Sequence, residues 1–142
     1  MADFIEALNG AQVGTVNLTS GADVDGLTFI VDTTGTPRTV TFTPAKSRPW
    51  TAAEIVAAIN AAHADLADVA HVKVASPGSL RHQWLSIWKD GGATVKSTGT
   101  ANALLGFSSA ADQVQTVVVN TVIQKIDRDT SNQGTWVALL YQ

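Results

Sequence analysis

The sequence predicts an α+β fold: a β-rich single domain with one main helix packed on an antiparallel sheet, an extended N-terminal arm and C-terminal strands. Three observations predict it. Leu27, Phe29 and Val31 alternate with Thr28, Ile30 and Asp32, and Val40 and Phe42 alternate with Thr39, Thr41 and Thr43. That period of two is the spacing of strands with one face in a core. A single stretch, from Thr51 onward, carries a helix start signal and helical periodicity. After residue 69 the chain returns to β-rich runs separated by Pro, Gly and Asp turns.

Bulk properties narrow the classes. At 142 residues there is room for one sizeable core and little room for two. Hydrophobic residues make up 45% and charged residues 15%, which is the composition of a folded chain and not of a disordered one. Uncharged surface is also surface that partners can cover. The net charge is −3 and the basic residues stand singly, so no basic stripe exists to neutralise a phosphate backbone and no direct nucleic-acid binding is expected. No apolar run approaches the ~20 residues that a bilayer span requires. The start Met-Ala-Asp-Phe-Ile-Glu lacks the charged and apolar regions of a signal peptide. With no cysteine, disulfides, thiolate catalysis and Cys-ligated metal are all excluded.

Element by element, residues 1–25 are expected to form an N-terminal arm and linker. Phe4, Ile5 and Leu8 fall at helical spacing, but Gly10 and Gly14 limit any helix to a turn or two. Gln12 to Thr19 is a weak strand candidate, and Ser20 to Gly26 a loop. The hairpin follows, turning at Thr33-Thr34-Gly35-Thr36-Pro37. A helix is predicted over about 52–64, fraying towards Asp68. Thr51 and Glu54 form a capping box, and Trp50 and Ile55 stand where a hydrophobic staple would put them. Ile55, Ile59, Ala62 and Leu66 give its apolar stripe.

Strands are expected at Val69–Ala75, Leu80–Lys89 and Ala93–Ser97, with Asp90-Gly91-Gly92 as a turn. In the middle one, Trp84 and Trp88 share a face with His82 and Ser86, while Leu85 and Ile87 share the other. Thr100 is placed to cap a short turn, Ala101–Leu105, that Gly106 ends. Residues 108–142 form a C-terminal β-rich segment that completes the same domain, with strands at Val114–Ile126 and Thr135–Tyr141.

Groups that carry chemistry do not collect in this sequence. Asp23-Val24-Asp25-Gly26 has the start of a calcium loop, but the later ligands and terminal Glu are missing, which leaves a turn. Gly91-Gly92 before Lys96-Ser97 has Val95 where a phosphate loop needs Gly. His63, His71 and His82 are scattered over different segments. A serine hydrolase would require Ser, His and an acid to converge in space, and that rival stays open. Trp84 and Trp88 are a candidate platform for stacking on a sugar or base; the competing role is cover for the helix or an interface. No catalytic residue, metal ligand or cofactor is assigned, and no enzyme activity is expected.

Leu27-Thr28-Phe29-Ile30-Val31, Thr39-Val40-Thr41-Phe42 and Thr51-Ala52-Ala53-Glu54-Ile55-Val56-Ala57-Ala58-Ile59-Asn60 together resemble the "IN" module of flagellins and flagellar hook-associated proteins. A relative of that module occurs in tailed-bacteriophage virion proteins. There it is often followed by a glycine-rich turn and a segment like Gly99-Thr100-Ala101-Asn102-Ala103-Leu104-Leu105-Gly106-Phe107. The resemblance covers residues 26–107 and marks a ββαββ packing unit, not an active site. His82, Trp84 and Trp88 depart from the Leu/Thr alternation usual there. Flagellar members carry the module between long heptad-patterned helices, whereas residues 2–25 and 108–142 are glycine-broken or β-rich, which favours the phage relatives.

The resemblance implies a non-enzymatic virion component, most plainly a capsid decoration or cement protein. The alternatives are a tail, neck, baseplate or fibre protein, a flagellar hook-associated-like protein, and the small hydrolase. It implies a homo-oligomer that contacts other virion proteins, major capsid or tail subunits, and is located in the virion after synthesis in the host cytoplasm. Apolar terminal segments supply the candidate contact residues: Phe4, Ile5 and Leu8 in the arm, and Trp136, Val137, Leu139, Leu140 and Tyr141 at the other end.

Overall fold

The hairpin is where the period-two pattern is realised. In the computed structural model, β3 (Thr28–Asp32) pairs antiparallel with β4 (Arg38–Thr41), Phe29 opposite Val40 and Thr28 opposite Thr41. Phe29, Val31 and Val40 are buried, and the threonines of β4 face solvent. The residues described are 16–74 and 82–115, with Phe4, Ile5, Leu8, Asn9, Val117 and Val118. The remaining elements, in chain order, are β1 (Phe4–Ile5), β2 (Leu8–Asn9), α1 (Ala52–Ala62), β5 (Ala70–Val74), β6 (Gln83–Ile87), β7 (Thr94–Val95), α2 (Asn102–Leu105), β8 (Gln113–Val114) and β9 (Val117–Val118). Single 3-10 turns lie at Leu18–Ser20 and Ala64–Leu66. One main helix among antiparallel sheets is the α+β class that the sequence predicts.

The chain divides into two compact units. In residues 7–115, a four-stranded sheet has the order β4-β3-β7-β8, and a three-stranded sheet has the order β2-β6-β5. α1 packs against β5 and β6 of one sheet and β4 of the other. In the second unit, residues 1–6 and 116–142, β1 pairs with β9, Phe4 opposite Val118. Among the described residues no helix is long and apolar enough to cross a membrane.

The core of the larger unit gathers Phe29, Val31, Val40 and Phe42 from the hairpin, Ala52, Ile55 and Ile59 from α1, Leu85 and Ile87 from β6, and Leu105 and Phe107. Phe29 and Phe107 lie tilted with ring centres 5.3 Å apart, so the Gly106-terminated turn closes onto the hairpin. Each fully buried Ile or Phe contributes about 1.5–3 kcal/mol over its exposed state, and this apolar burial is what holds the helix on the sheets.

α1 starts as its sequence dictates. Thr51 Oγ1 accepts from Glu54 N at 3.2 Å, and Glu54 Oε2 accepts from Thr51 N at 2.9 Å. Trp50 and Ile55 are both buried. The helix ends at Ala62, two residues before the expected limit, because His63 takes an extended backbone (φ −147, ψ 150). Leu66 reaches the core from the following 3-10 turn, not from the helix, and Ala62 is exposed while Ala52 is buried.

Several local expectations give way to longer-range contacts. Leu18–Ser20 is a 3-10 turn, not part of a strand, because Asn17 Oδ1 captures Thr19 N at 3.0 Å and Leu18 is buried. Residues 16–25, expected in the arm and linker, bring Leu18, Ala22 and Val24 into the core. Phe4–Ile5 and Leu8–Asn9 are extended despite their helical spacing, each paired with a strand distant in sequence. Gly21 has φ +81, and a Cβ there would press on the Trp50 carbonyl, so the bridge between Ala22 and Trp50 requires glycine. Thr100 does not cap α2; its Oγ1 accepts from Thr28 N at 2.8 Å, across 72 residues, while Ala101 N donates to Thr28 O.

Candidate interaction surface

Polar side chains in the larger unit mostly bind its own backbone. Asn60 Oδ1 accepts from Val69 N at 3.0 Å and Ala70 N at 2.8 Å, and its Nδ2 donates to Ala70 O at 2.9 Å. The amide thus stands in for a neighbouring strand along the first residue of β5. Asn17 Oδ1 accepts from Gln83 N, and Asn102 Nδ2 donates to the carbonyls of Lys96 and Ser108. In each case a planar amide supplies what a missing backbone partner would.

The approach to α1 is held by charge. Asp25 Oδ1 accepts from Trp50 Nε1 at 2.6 Å and from Lys46 N at 2.9 Å. Glu54 receives Arg48 on both carboxylate oxygens, at 2.8 and 2.9 Å, and Lys46 Nζ at 3.1 Å. The Lys46 ammonium also sits 4.6 Å from the Trp50 ring centre. The Arg48 guanidinium, the Thr51 amide and Lys46 hold the Glu54 carboxyl well below the usual carboxylate range. Trp50 and the Lys46 amide lower Asp25 in the same way. A second cluster joins Lys96 Nζ to Asp112 Oδ2 at 2.6 Å, and Ser97 donates to Asp112 Oδ1 from both N and Oγ. These contacts bring the Asp112 carboxyl down to about 2. Carboxylates with such low values serve as fixed anionic anchors, not as proton donors near neutrality.

The hydrolase rival asked for Ser, His and an acid together, and among the described residues one such group lies across β5 and β6. Ser86 of β6 stands opposite His71 of β5, and His71 Nε2 lies 3.1 Å from Asp68 O and 3.8 Å from Asp68 Oδ1. Ser86 is 1% exposed and its Oγ makes no hydrogen bond, to His71 or to any other group among the described residues. A nucleophile must be hydrogen-bonded to its base and reachable by substrate, and this serine is neither. Among the described residues no cluster of His, Asp or Glu could hold a metal ion.

The two tryptophans occupy different settings. Trp84 stands opposite Lys73 and is tilted against His82, ring centres 5.9 Å apart. Trp88 lies just beyond β6 and is 40% exposed. Ser86, between them on that face, is sealed, so the face is not an open platform along its length. Of the expected contact residues, Leu8 packs against its own core, opposite Ile87. Phe4 and Ile5 form β1, and Trp136, Val137, Leu139, Leu140 and Tyr141 lie outside the described residues.

Among the described residues, backbone stays open at sheet edges. β4 and β5 are outermost in their sheets. Thr39 of β4 has its carbonyl near His63 Nε2 at 3.4 Å, and among the described residues the outer edge of β5 has Asn60 against Ala70 only. No local pattern in the sequence names the partners of Asn60, because β5 is reached only through the chain reversal at 63–69.

Fold and surface together define a class: an α+β packing unit whose polar groups tie its own chain and whose strands offer edges. Comparison with known protein families, with curated proteins and with solved structures gives no match.

Proposed function

We propose that this protein is a non-enzymatic structural component of a tailed-phage particle, a decoration or cement subunit of the capsid. The observation that carries the reading is the ββαββ unit itself. Arg38, Lys46, Arg48 and Lys96 are spent on internal ion pairs, while among the described residues the outer edges of β4 and β5 are paired with no further strand. The resemblance of residues 26–107 to a module of filament and virion proteins supplies the setting. In this reading the unit acts as a rigid wedge. The arm around Phe4 and Ile5 and the segment with Trp136, Val137, Leu139, Leu140 and Tyr141 pack on adjacent subunits of the particle or on further copies.

Placement on the tail, neck, baseplate or a fibre is the second reading, and the exposure of Trp88 favours it, since an outward aromatic suits a surface ligand. Labelling the subunit and imaging purified particles by negative stain separates the two: label over the capsid shell supports decoration, label confined to the tail supports the second. Deletion of 2–10 or 135–142 is expected to abolish particle binding or oligomerisation. Unchanged assembly of both deletions contradicts the wedge.

A further inference from the structure

Among the described residues, β5 is an edge strand of which only the first part is closed. Trp88 N donates to Val69 O at 2.9 Å, and this sets Val69, His71 and Lys73 in the bonded register with β6. Alternation then turns the N–H and C=O of Ala70, Val72 and Val74 outward. Asn60 satisfies Ala70 on both groups. Among the described residues nothing bonds the outward groups of Val72 and Val74, and Val74 is 53% exposed.

We propose that residues 72–74 of β5 accept an added strand from a partner protein, and that this strand carries an acidic residue between two apolar ones. The inference rests on reading the protein as an assembly subunit and names the chemistry of its contact. The charge pattern selects the partner. Among the described basic residues, Arg38, Lys46, Arg48 and Lys96 are each engaged with a carboxylate, whereas Lys73 and Lys89 have no ion pair, and of these two Lys73 lies in β5.

Lys73 sits midway between the two open positions, on the face of the sheet away from Leu85 and Ile87. A strand bonded to Val72 and Val74 places one residue directly opposite Lys73, at the close Cα spacing of about 4.5 Å. An Asp or Glu there completes a cross-strand ion pair, and its two neighbours fall beside Val72 and Val74. A second copy of β5, paired antiparallel about the same centre, sets Lys73 against Lys73. Like charges directly opposite disfavour that pairing, so the same lysine rejects self-association and selects an acidic strand.

The test uses the full chain, labelled with nitrogen-15, and two capped peptides, Thr-Thr-Val-Glu-Val-Thr-Thr and its Lys-for-Glu counterpart. The Glu peptide is expected to shift the amides of Val72, Lys73 and Val74 and to bind about threefold tighter than the Lys peptide. Lys73→Glu reverses that order. Val74→Pro removes an outward N–H without cutting a bond to β6, and it is expected to weaken binding about tenfold with the rest of the spectrum unchanged. Equal affinity for the two peptides, shifts confined to other residues, or a wild-type chain that dimerises through β5 overturns the proposal. Peptide binding at β5 without any association with particles counts against the assembly reading alone. Particle association without peptide binding counts against the edge alone.

Discussion

The two ends of α1 are secured by opposite means. At its start, Asp25, Lys46, Arg48 and Glu54 form a network of charged groups at the surface, with Arg48 half exposed. At its end, the neutral amide of Asn60 binds three backbone groups of Val69 and Ala70. Charged contacts in contact with water gain little each, since solvent and salt screen them and long side chains lose entropy. A partly buried amide that serves both the N–H and the C=O of Ala70, which have no other partner among the described residues, cannot be replaced by water as cheaply. Of the two attachments, it is the neutral amide of Asn60 that is bonded directly to β5.

The sharpest way to break the comparison is Asn60→Ala. It leaves the outward groups of Ala70 unpaired, and a loss of about 2–3 kcal/mol in chemical denaturation is expected. A loss no greater than that of an exposed alanine substitution would mean that water closes this edge as well as the asparagine does. Next in size is Thr51→Ala, which removes the capping-box acceptor and is expected to cost about 1 kcal/mol by the same measurement. Glu54→Gln is expected to cost less than Thr51→Ala in high salt and more of its effect in low salt, since it keeps the shape of the network and removes its charge. An effect of Glu54→Gln independent of salt contradicts a screened network.

How far the sequence foretold these attachments depends on their reach. The capping box spans three residues and the hairpin alternates within one strand, so both are written locally in Thr51, Glu54 and the run from Leu27 to Val31. Trp50 to Asp25 spans 25 residues and Thr28 to Thr100 spans 72, and no periodicity encodes a partner at that distance. Thr100 illustrates the cost: a residue well suited to cap the adjacent turn is claimed by the hairpin. Leu18 does likewise, since weak alternation around it is overridden by burial and by Asn17. The candidate contacts were legible only as apolar composition, and Leu8 shows why that is insufficient, because its own core uses it.

Acid provides the smallest and most graded test. The carboxyls of Asp25, Glu54, Asp65 and Asp112 all lie below their ordinary values in the folded chain. A group depressed on folding adds stability above its unfolded pKa and loses it as pH falls through the folded one. Stability is therefore expected to be level above about pH 5 and to fall from there towards pH 2, where Asp112 also protonates. Denaturation curves against pH should run parallel for the wild type and Asn60→Ala, while Glu54→Gln should fall less steeply. Parallel curves for all three would remove the distinction between the charged and neutral attachments.

The most direct test of the proposed assembly role is sedimentation of purified tailed-phage particles from infected cells in which the labelled chain is made. The expected result is label travelling with the particles at a fixed ratio to the capsid protein. Label that remains wholly at the top of the gradient, with the particles complete, would contradict the proposed assembly role.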